Sequence, residues 1–174
     1  MARDAAMAAA FIFVAAILQA SVFSDVSILS GRPDLLLVAL VAVAMLRGSI
    51  VGAAAGFWGG LLLDVANLET LGFSSLLLTL VGYWVGRYGE TSFRDRSRSP
   101  LLAAGLVTFL YAFGALALHF MLGEPAPARA VLLETLFQTI ALNLLLTVPV
   151  YGLTRRLLRP LERADRAERV HLLG

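Results

Sequence analysis

The sequence contains no cysteine and no lysine, and only 15% of its 174 residues are charged. Without cysteine the chain has no disulfide, no thiolate metal site and no cysteine nucleophile. The signatures of catalysis are missing too: the sequence has no nucleophile elbow, HExxH motif, Walker loop or paired-carboxylate motif. We therefore expect neither an enzyme nor a metal or cofactor site. The 14 basic residues are all arginine, which indicates a compositional bias rather than a mechanism.

Apolar residues are what the sequence has in excess. They make up 59% of the chain, and its mean hydropathy is +0.83. Apolar runs recur from one end to the other, which is typical of a polytopic helical membrane protein. No polar block between them is long enough to build a core of its own. The sequence therefore predicts one all-α transmembrane domain.

Six membrane-spanning helices are predicted within this domain. Their approximate bounds are 5–23, 34–46, 48–66, 73–86, 100–122 and 131–153. The domain covers residues 1–154, and a basic tail follows over residues 155–174.

The first two spans each admit a second interpretation. The first is either a retained helix or a cleaved signal peptide, and we favour the helix because Asp4 offsets Arg3 in the segment that should be basic. The second has an apolar run of only 12 residues, 35–46, which reaches about 18 Å. It is either a re-entrant segment or a short span that packs as a hairpin against the third span. The distribution of arginine favours the hairpin.

The arginines determine the predicted orientation. Twelve of them fall on the side of the membrane that holds both termini, and only Arg32 and Arg129 fall on the other side. Because positive charge is concentrated in cytoplasmic segments, both termini are predicted to be cytoplasmic.

The basic tail contributes six of these twelve arginines, beginning with Arg155, Arg156 and Arg159. Pro160 is expected to break or start a helix in this tail. The arginines are interpreted either as a surface that lies on anionic lipid or as a docking site for a cytoplasmic partner.

Glycine recurs at every fourth position of the third span. The series consists of Gly48, Gly52, Gly56 and Gly60, and Asp64 takes the next place. Small residues at this spacing let a neighbouring helix approach closely inside a membrane. The fourth span has glycine at the same spacing, at Gly82 and Gly86. These glycines are interpreted either as packing within the bundle or as a contact with the helix of a partner.

Two carboxylates lie near the predicted outer ends of the second and third spans. Measured from the turn at Arg47, Asp34 and Asp64 lie about 20 Å and 24 Å along their helices. They are either helix-end carboxylates reached by water or, with Arg32 nearby, a polar network that anchors a partner. Three further residues at similar depth are candidates for the network: His119, Glu134 and Gln138.

Five short motifs between residues 32 and 87 occur in an order that resembles one known family. They are Arg-Pro-Asp-Leu-Leu-Leu at 32–37, Leu-Arg-Gly at 46–48, Gly-Leu-Leu-Leu-Asp at 60–64, Leu-Gly at 71–72 and Val-Gly-Tyr-Trp-Val-Gly-Arg at 81–87. Together they resemble the rod shape-determining protein MreD family. Thr70 stands where that family often has proline, and Ser74 where histidine or asparagine is expected.

The resemblance implies a non-enzymatic component of the bacterial inner membrane that acts in cell elongation, cell shape and peptidoglycan synthesis. It implies as partners the single-pass protein MreC, the actin-like MreB, the glycosyltransferase RodA and its penicillin-binding transpeptidase. Nucleic acid is not expected as a partner, because the arginines lie at the predicted membrane edges. It also implies a fold similar to the six-helix substrate-binding components of energy-coupling-factor vitamin transporters.

Three functions are therefore weighed. The leading hypothesis is a membrane scaffold for wall synthesis that binds its partners through helix–helix contacts. The first alternative is a vitamin-like small-solute binding subunit of a transporter, for which the sequence carries no evident ligand signature. A handler of lipid or polyprenyl phosphate needs outward-facing arginines, of which only Arg32 and Arg129 are available.

Overall fold

The computed structural model describes residues 2–23, 31–68, 70–91, 99–121 and 129–172. These residues form six α-helices and one short π-helical segment. In chain order they are α1 (Ala2–Leu18), the π-helical segment (Gln19–Phe23), α2 (Leu35–Arg47), α3 (Ser49–Asn67), α4 (Phe73–Thr91), α5 (Ser99–Met121) and α6 (Arg129–Leu172). The predicted all-helical fold is confirmed, while Arg94, Arg96 and Arg98 of the polar loop before α5 lie outside the described residues.

Within the described chain, three helical stretches are long and apolar enough to cross a membrane: Ser49–Asn67, Pro100–Ala117 and Thr135–Leu157. Two shorter apolar helices accompany them, Ala6–Val22 and Leu35–Arg47. The chain is thus a helical membrane protein by length and composition, and the six crossings stay a prediction.

Helix α2 is the centre of the bundle. Its residues 36–44 have exposed fractions of 0–1%, and the helix contacts each of the other α-helices. Valine, leucine and alanine occupy every side of it, and a helix that is apolar all round is buried. Gly48 alone separates α2 from α3, so the two helices form a tight turn. We call the two ends of the bundle the Asp34 end, where α2 begins, and the Arg47 end, where it stops.

Helix α1 contributes to the same core. Its buried positions are Ala8, Ile12, Ala15 and Ala16, which recur at the spacing of one helical face. This face packs on α2 and α3. A Cβ atom placed on Gly59 of α3 would lie 2.9 Å from the Cγ2 atom of Ile12, so α1 and α3 approach closely at that point.

Two helices continue beyond their predicted spans, and the expectation for Pro160 is wrong. Helix α4 continues to Thr91, five residues beyond the predicted end of the fourth span at 86. Helix α6 has 44 residues and runs through Pro160 to Leu172, so proline neither ends nor starts a helix there. Proline removes one backbone N–H and kinks a helix, but the hydrogen bonds of the turns on either side persist. The basic tail is therefore a continuation of α6 over its described length, in which Arg155 is half-buried and Arg156 exposed.

Candidate functional site

The glycines of α3 and α4 face one another across a glycine seam. Gly52 meets Gly82, Gly56 meets Leu78 and Gly60 meets Ser75, and this falling register shows that the helices are antiparallel. A Cβ atom on Gly56 would overlap the carbonyl oxygen of Leu78, and one on Gly60 would lie 2.5 Å from the Cα atom of Ser75. The obstacles are backbone atoms, so only glycine permits this spacing.

The seam closes at the Arg47 end of the bundle. A Cβ atom on Gly86 would lie 2.5 Å from the carbonyl carbon of Gly48. Gly48 itself has a φ of +89°, a conformation that strongly favours glycine, and it makes the turn between α2 and α3. All six predicted glycines therefore pack within the chain. Further close approaches were not predicted, among them those of Gly59 on Ile12 and of Gly89 on Met45.

Asp64 closes the opposite end of the seam as a buried helix cap. Its carboxylate is 0% exposed and accepts hydrogen bonds from the backbone N–H groups of Gly72, at 2.8 Å, and Ser74, at 3.0 Å. These N–H groups lie at the N-terminus of α4, where a helix lacks internal acceptors and its dipole favours negative charge. Asp64 therefore holds the turn between α3 and α4, and water does not reach it.

Glu90 caps the N-terminus of α3. Its Oε1 atom accepts hydrogen bonds from the backbone N–H of Ser49, at 2.7 Å, and from the Ser49 hydroxyl, at 2.9 Å. The other oxygen lies 3.4 Å from Arg87. Each helix of the antiparallel pair is thus capped by a carboxylate from the far end of the other. Glu90 was not predicted, because its partner is 41 residues away in sequence.

These hydrogen bonds make the Glu90 cap dependent on pH. Glu90 lies beyond the predicted fourth span, and the hydrogen bonds from Ser49 hold its pKa below the ordinary value of 4.5. A lowered pKa in the folded state stabilises the fold above the ordinary pKa, and this contribution is lost as the pH falls through the folded value. We expect Glu90→Gln to lower the thermal unfolding temperature at neutral pH and to flatten its decline in acid, measured in detergent.

The matched control for this prediction is Arg87→Gln, which removes the exposed ion pair and leaves the cap intact. Exposed ion pairs contribute little to stability, and the hydrogen bonds from Ser49 are the larger cause of the lowered pKa of Glu90, so this variant should keep most of the acid dependence of the native chain. An equally steep decline in Glu90→Gln would contradict the role of Glu90 as a cap.

At the Asp34 end, polar side chains hold the segment that leads into α2. The Asp34 carboxylate accepts a hydrogen bond from the N–H of Leu37 at 2.8 Å and so caps α2. Its own backbone N–H donates to the Oδ1 atom of Asn143 at 2.8 Å. The next N–H, that of Leu35, donates to the Oε1 atom of Gln19 at 2.7 Å. The central helix is thereby tied to α6 and to the π-helical segment.

Asn143 is the hub of this network. It is 0% exposed, and its amide nitrogen donates to the hydroxyl of Thr108 on α5 at 3.1 Å. A further hydrogen bond runs from the backbone N–H of Arg32 to the hydroxyl of Thr139 at 3.3 Å. The sequence contained these polar residues, but nothing in it showed that they converge on the start of α2.

Replacing Asn143 by leucine should destabilise the fold. The half-buried N–H of Asp34 would lose its acceptor and the buried hydroxyl of Thr108 would lose its donor, and an unsatisfied buried group costs about 1–3 kcal/mol. The free energy of unfolding in mixed detergent micelles is the measurement. Leu145→Ala, on the exposed side of the same helix, serves as the control with a smaller expected change. An Asn143→Leu variant as stable as the native chain would contradict the assignment of Asn143 as the hub.

A cavity of about 540 Å³ opens among these residues. It is lined by Gln19, Arg32, Pro33, Asp34, Leu37, Leu63, Asn67, Ser74, Thr108, Tyr111, Ala112, Thr139 and Asn143. The structure thus brings Arg32 and Asp34 to one cavity, whereas Asp64 is outside its lining. The described helices contain no group of three residues suited to hold a metal ion.

The other residues proposed for the polar network are placed only in part. Gln138 is half-buried and contacts Gly31, and its Oε1 atom has no hydrogen-bond partner among the described residues. The side chains of His119 and Glu134 lie outside the described part of the structure, as do those of Arg129 and Arg159.

Comparison with known families gives one result that covers nearly the whole chain. The sequence model of rod shape-determining protein MreD matches residues 3–157. No curated protein matches the chain.

Proposed function

The chain belongs to the MreD family of rod shape-determining proteins, and from this membership we propose that it is a non-enzymatic scaffold of the cell-elongation complex. In this proposal it lies in the bacterial inner membrane and supports peptidoglycan synthesis by binding other membrane proteins. The proposed partners are an MreC-like single-pass protein and, beyond it, MreB, RodA and a penicillin-binding transpeptidase. The family match is the observation that carries the proposal.

The structure supports a scaffold because polar and charged side chains at the ends of its described helices hold the fold. Asp64 and Glu90 cap α4 and α3, and Asn143 secures the start of α2. These contacts give the α2–α4 core a fixed geometry. A fixed core suits a protein that presents helix surfaces to partners.

The distribution of arginine between the two ends of the bundle supports the proposed orientation. Arg47 and Arg87 lie near the last turns of α2 and α4 at the Arg47 end. Arg155 lies 12 positions, or about 18 Å, beyond Asn143 on α6, which brings it to the same end. Arg32 is at the other end. The positive-inside rule then makes the Arg47 end cytoplasmic, as we propose.

The surface left for partner helices is the outer side of the bundle, because the glycine seam is occupied. Large exposed residues stand on that side of three helices: Trp58 on α3, Trp84 on α4 and Phe113 on α5 are 62–66% exposed. Aromatic residues carry much of the binding energy at interfaces. We propose that the partner contact lies among such positions.

Co-purification with the MreC-like protein tests the proposal. The tagged full-length chain should recover the single-pass protein from solubilised membranes. The contact helix is then located with three variants, Trp58→Ala, Trp84→Ala and Phe113→Ala, compared at equal expression and equal unfolding temperature. Recovery of the single-pass protein should fall at least about tenfold in the variant of the contact helix. Absence of the partner from the native eluate would contradict the scaffold proposal.

Cell shape provides the second test. Depletion of the chain in its host should convert rods into rounded cells, and re-expression should restore them. Host cells that keep their length and width without the chain would exclude a role in elongation.

A further inference from the structure

The cavity at the Asp34 end is rich in polar residues, in a protein that is otherwise apolar. Most residues that line it are polar or charged, although 59% of the chain is hydrophobic. Its volume of about 540 Å³ falls within the range of roughly 300–1,000 Å³ typical of small-molecule sites. Polar groups that line such a space need partners, since an unpaired polar group in an apolar surrounding is costly.

Some of the lining groups already have partners and serve the fold. Both ends of the Gln19 amide are engaged, with the carbonyl of Pro33 and the N–H of Leu35. The Asn143 amide is likewise bonded at both atoms, and the Thr108 hydroxyl accepts from Asn143 and donates to Ala104. These groups shape the cavity and have little capacity for a ligand.

Other lining groups keep capacity for a ligand. The exposed guanidinium of Arg32 has no ion-pair partner within the described residues. The Asp34 carboxylate accepts a backbone hydrogen bond on Oδ1, and two carboxylate oxygens offer about four acceptor sites. The hydroxyl of Thr139 accepts from the N–H of Arg32 and can still donate. The available groups are therefore one cation, one anion and neutral hydrogen-bonding groups, among them Asn67.

We propose that this cavity binds a zwitterionic group, with a phosphate or carboxylate at Arg32 and an ammonium at Asp34. The planar guanidinium of arginine matches phosphate and carboxylate oxygens in a bidentate geometry. Asp34 is half-buried, and a carboxylate withdrawn from water gains from an opposite charge beside it. A ligand that carries only one charge would leave the other protein charge without its partner.

Two sources supply this chemistry: the phosphoethanolamine headgroup of a membrane lipid and a free zwitterionic solute. The inference adds a ligand to the proposed scaffold and does not depend on it. Neither source requires a transport activity.

Binding of glycerophosphoethanolamine to the full-length chain in detergent tests the proposal, measured by calorimetry. Glycerol phosphate, which lacks the ammonium, should bind at least about tenfold more weakly. Arg32→Gln and Asp34→Asn should each weaken binding of glycerophosphoethanolamine by about tenfold or more. Asparagine caps a helix about as well as aspartate, so Asp34→Asn removes the charge and keeps the start of α2. Arg156→Gln, exposed at the far end of the bundle, is the matched control and should bind as the native chain does.

A second measurement separates the two sources. Native mass spectrometry of the chain released from nanodiscs should show retained phosphatidylethanolamine in preference to phosphatidylglycerol when the ligand is a lipid headgroup. Binding of the soluble probe without lipid retention assigns the site to a free solute. The proposal is overturned when neither probe binds, or when binding is the same in both variants as in the native chain.

Discussion

Substitution of Gly56 by leucine is expected to destabilise the fold more than a change at almost any other position of α3. Even the Cβ atom would overlap the carbonyl oxygen of Leu78, so α3 and α4 must separate to accept a side chain. Forcing extra atoms into a packed interior costs about 1–3 kcal/mol and occasionally more, and here rigid backbone opposes every added atom. We expect a loss of about 3 kcal/mol or more in the free energy of unfolding, measured in mixed detergent micelles.

Two matched variants distinguish helix contact from a general effect of substitution. Gly152→Ala places a methyl group where nothing lies within 4 Å, and alanine should stabilise α6 there by roughly 0.5–1 kcal/mol. Ala54→Leu adds bulk on the exposed side of α3 and should change stability little. A Gly56→Leu variant as stable as these two would show that the glycine seam does not set the approach of α3 and α4.

Gly56→Leu therefore cannot identify a surface that binds a partner. Loss of a partner in Gly56→Leu would follow from separated helices, whether or not the partner touches α3. Asp64→Leu has the same defect, because the carboxylate is buried and caps α4. Exposed residues such as Trp58 and Trp84 test a contact without disturbing the seam.

Local patterns predicted the helices well, for a physical reason. A helix in a membrane satisfies its own backbone, so an apolar run indicates a helix whatever surrounds it. The predicted bounds of the second and third spans, 34–46 and 48–66, agree with α2 and α3 to within one residue. The four-residue spacing of glycine indicated close packing because that spacing is itself a local property.

The candidate site could not be predicted from local patterns, because it is built from contacts between residues that are far apart in sequence. Glu90 caps Ser49 from 41 residues away, and Asp34 meets Asn143 across 109 residues. The sequence placed Asp34 and Asp64 at similar heights, but height does not specify which way a side chain points. The structure directs Asp34 to a cavity and Asp64 to the first turn of α4. The short second span was ambiguous because its enclosure by the other helices is visible only in the assembled bundle.

Replacement of Asp64 by leucine is the second change with a large expected effect. The N–H groups of Gly72 and Ser74 would both lose their acceptor, the first in a partly buried position and the second in a buried one. An unsatisfied buried donor costs about 1–3 kcal/mol and a partly buried one costs less, so we expect a loss of roughly 2–4 kcal/mol in the free energy of unfolding. The α3–α4 turn should open first, because the carboxylate is what ties it to α4.

Asp64→Asn and Asn67→Leu complete the series. Asparagine keeps one acceptor oxygen and loses the other, so Asp64→Asn should fall between the native chain and Asp64→Leu, with a loss of about 1–3 kcal/mol. Asn67 is exposed on the same helix, and its replacement by leucine should change stability by no more than about 0.5 kcal/mol. Hydrogen exchange at Gly72 and Ser74 should rise in the same order as the loss of stability. Equal exchange in all three variants would mean that α4 does not need the Asp64 cap to begin at Phe73.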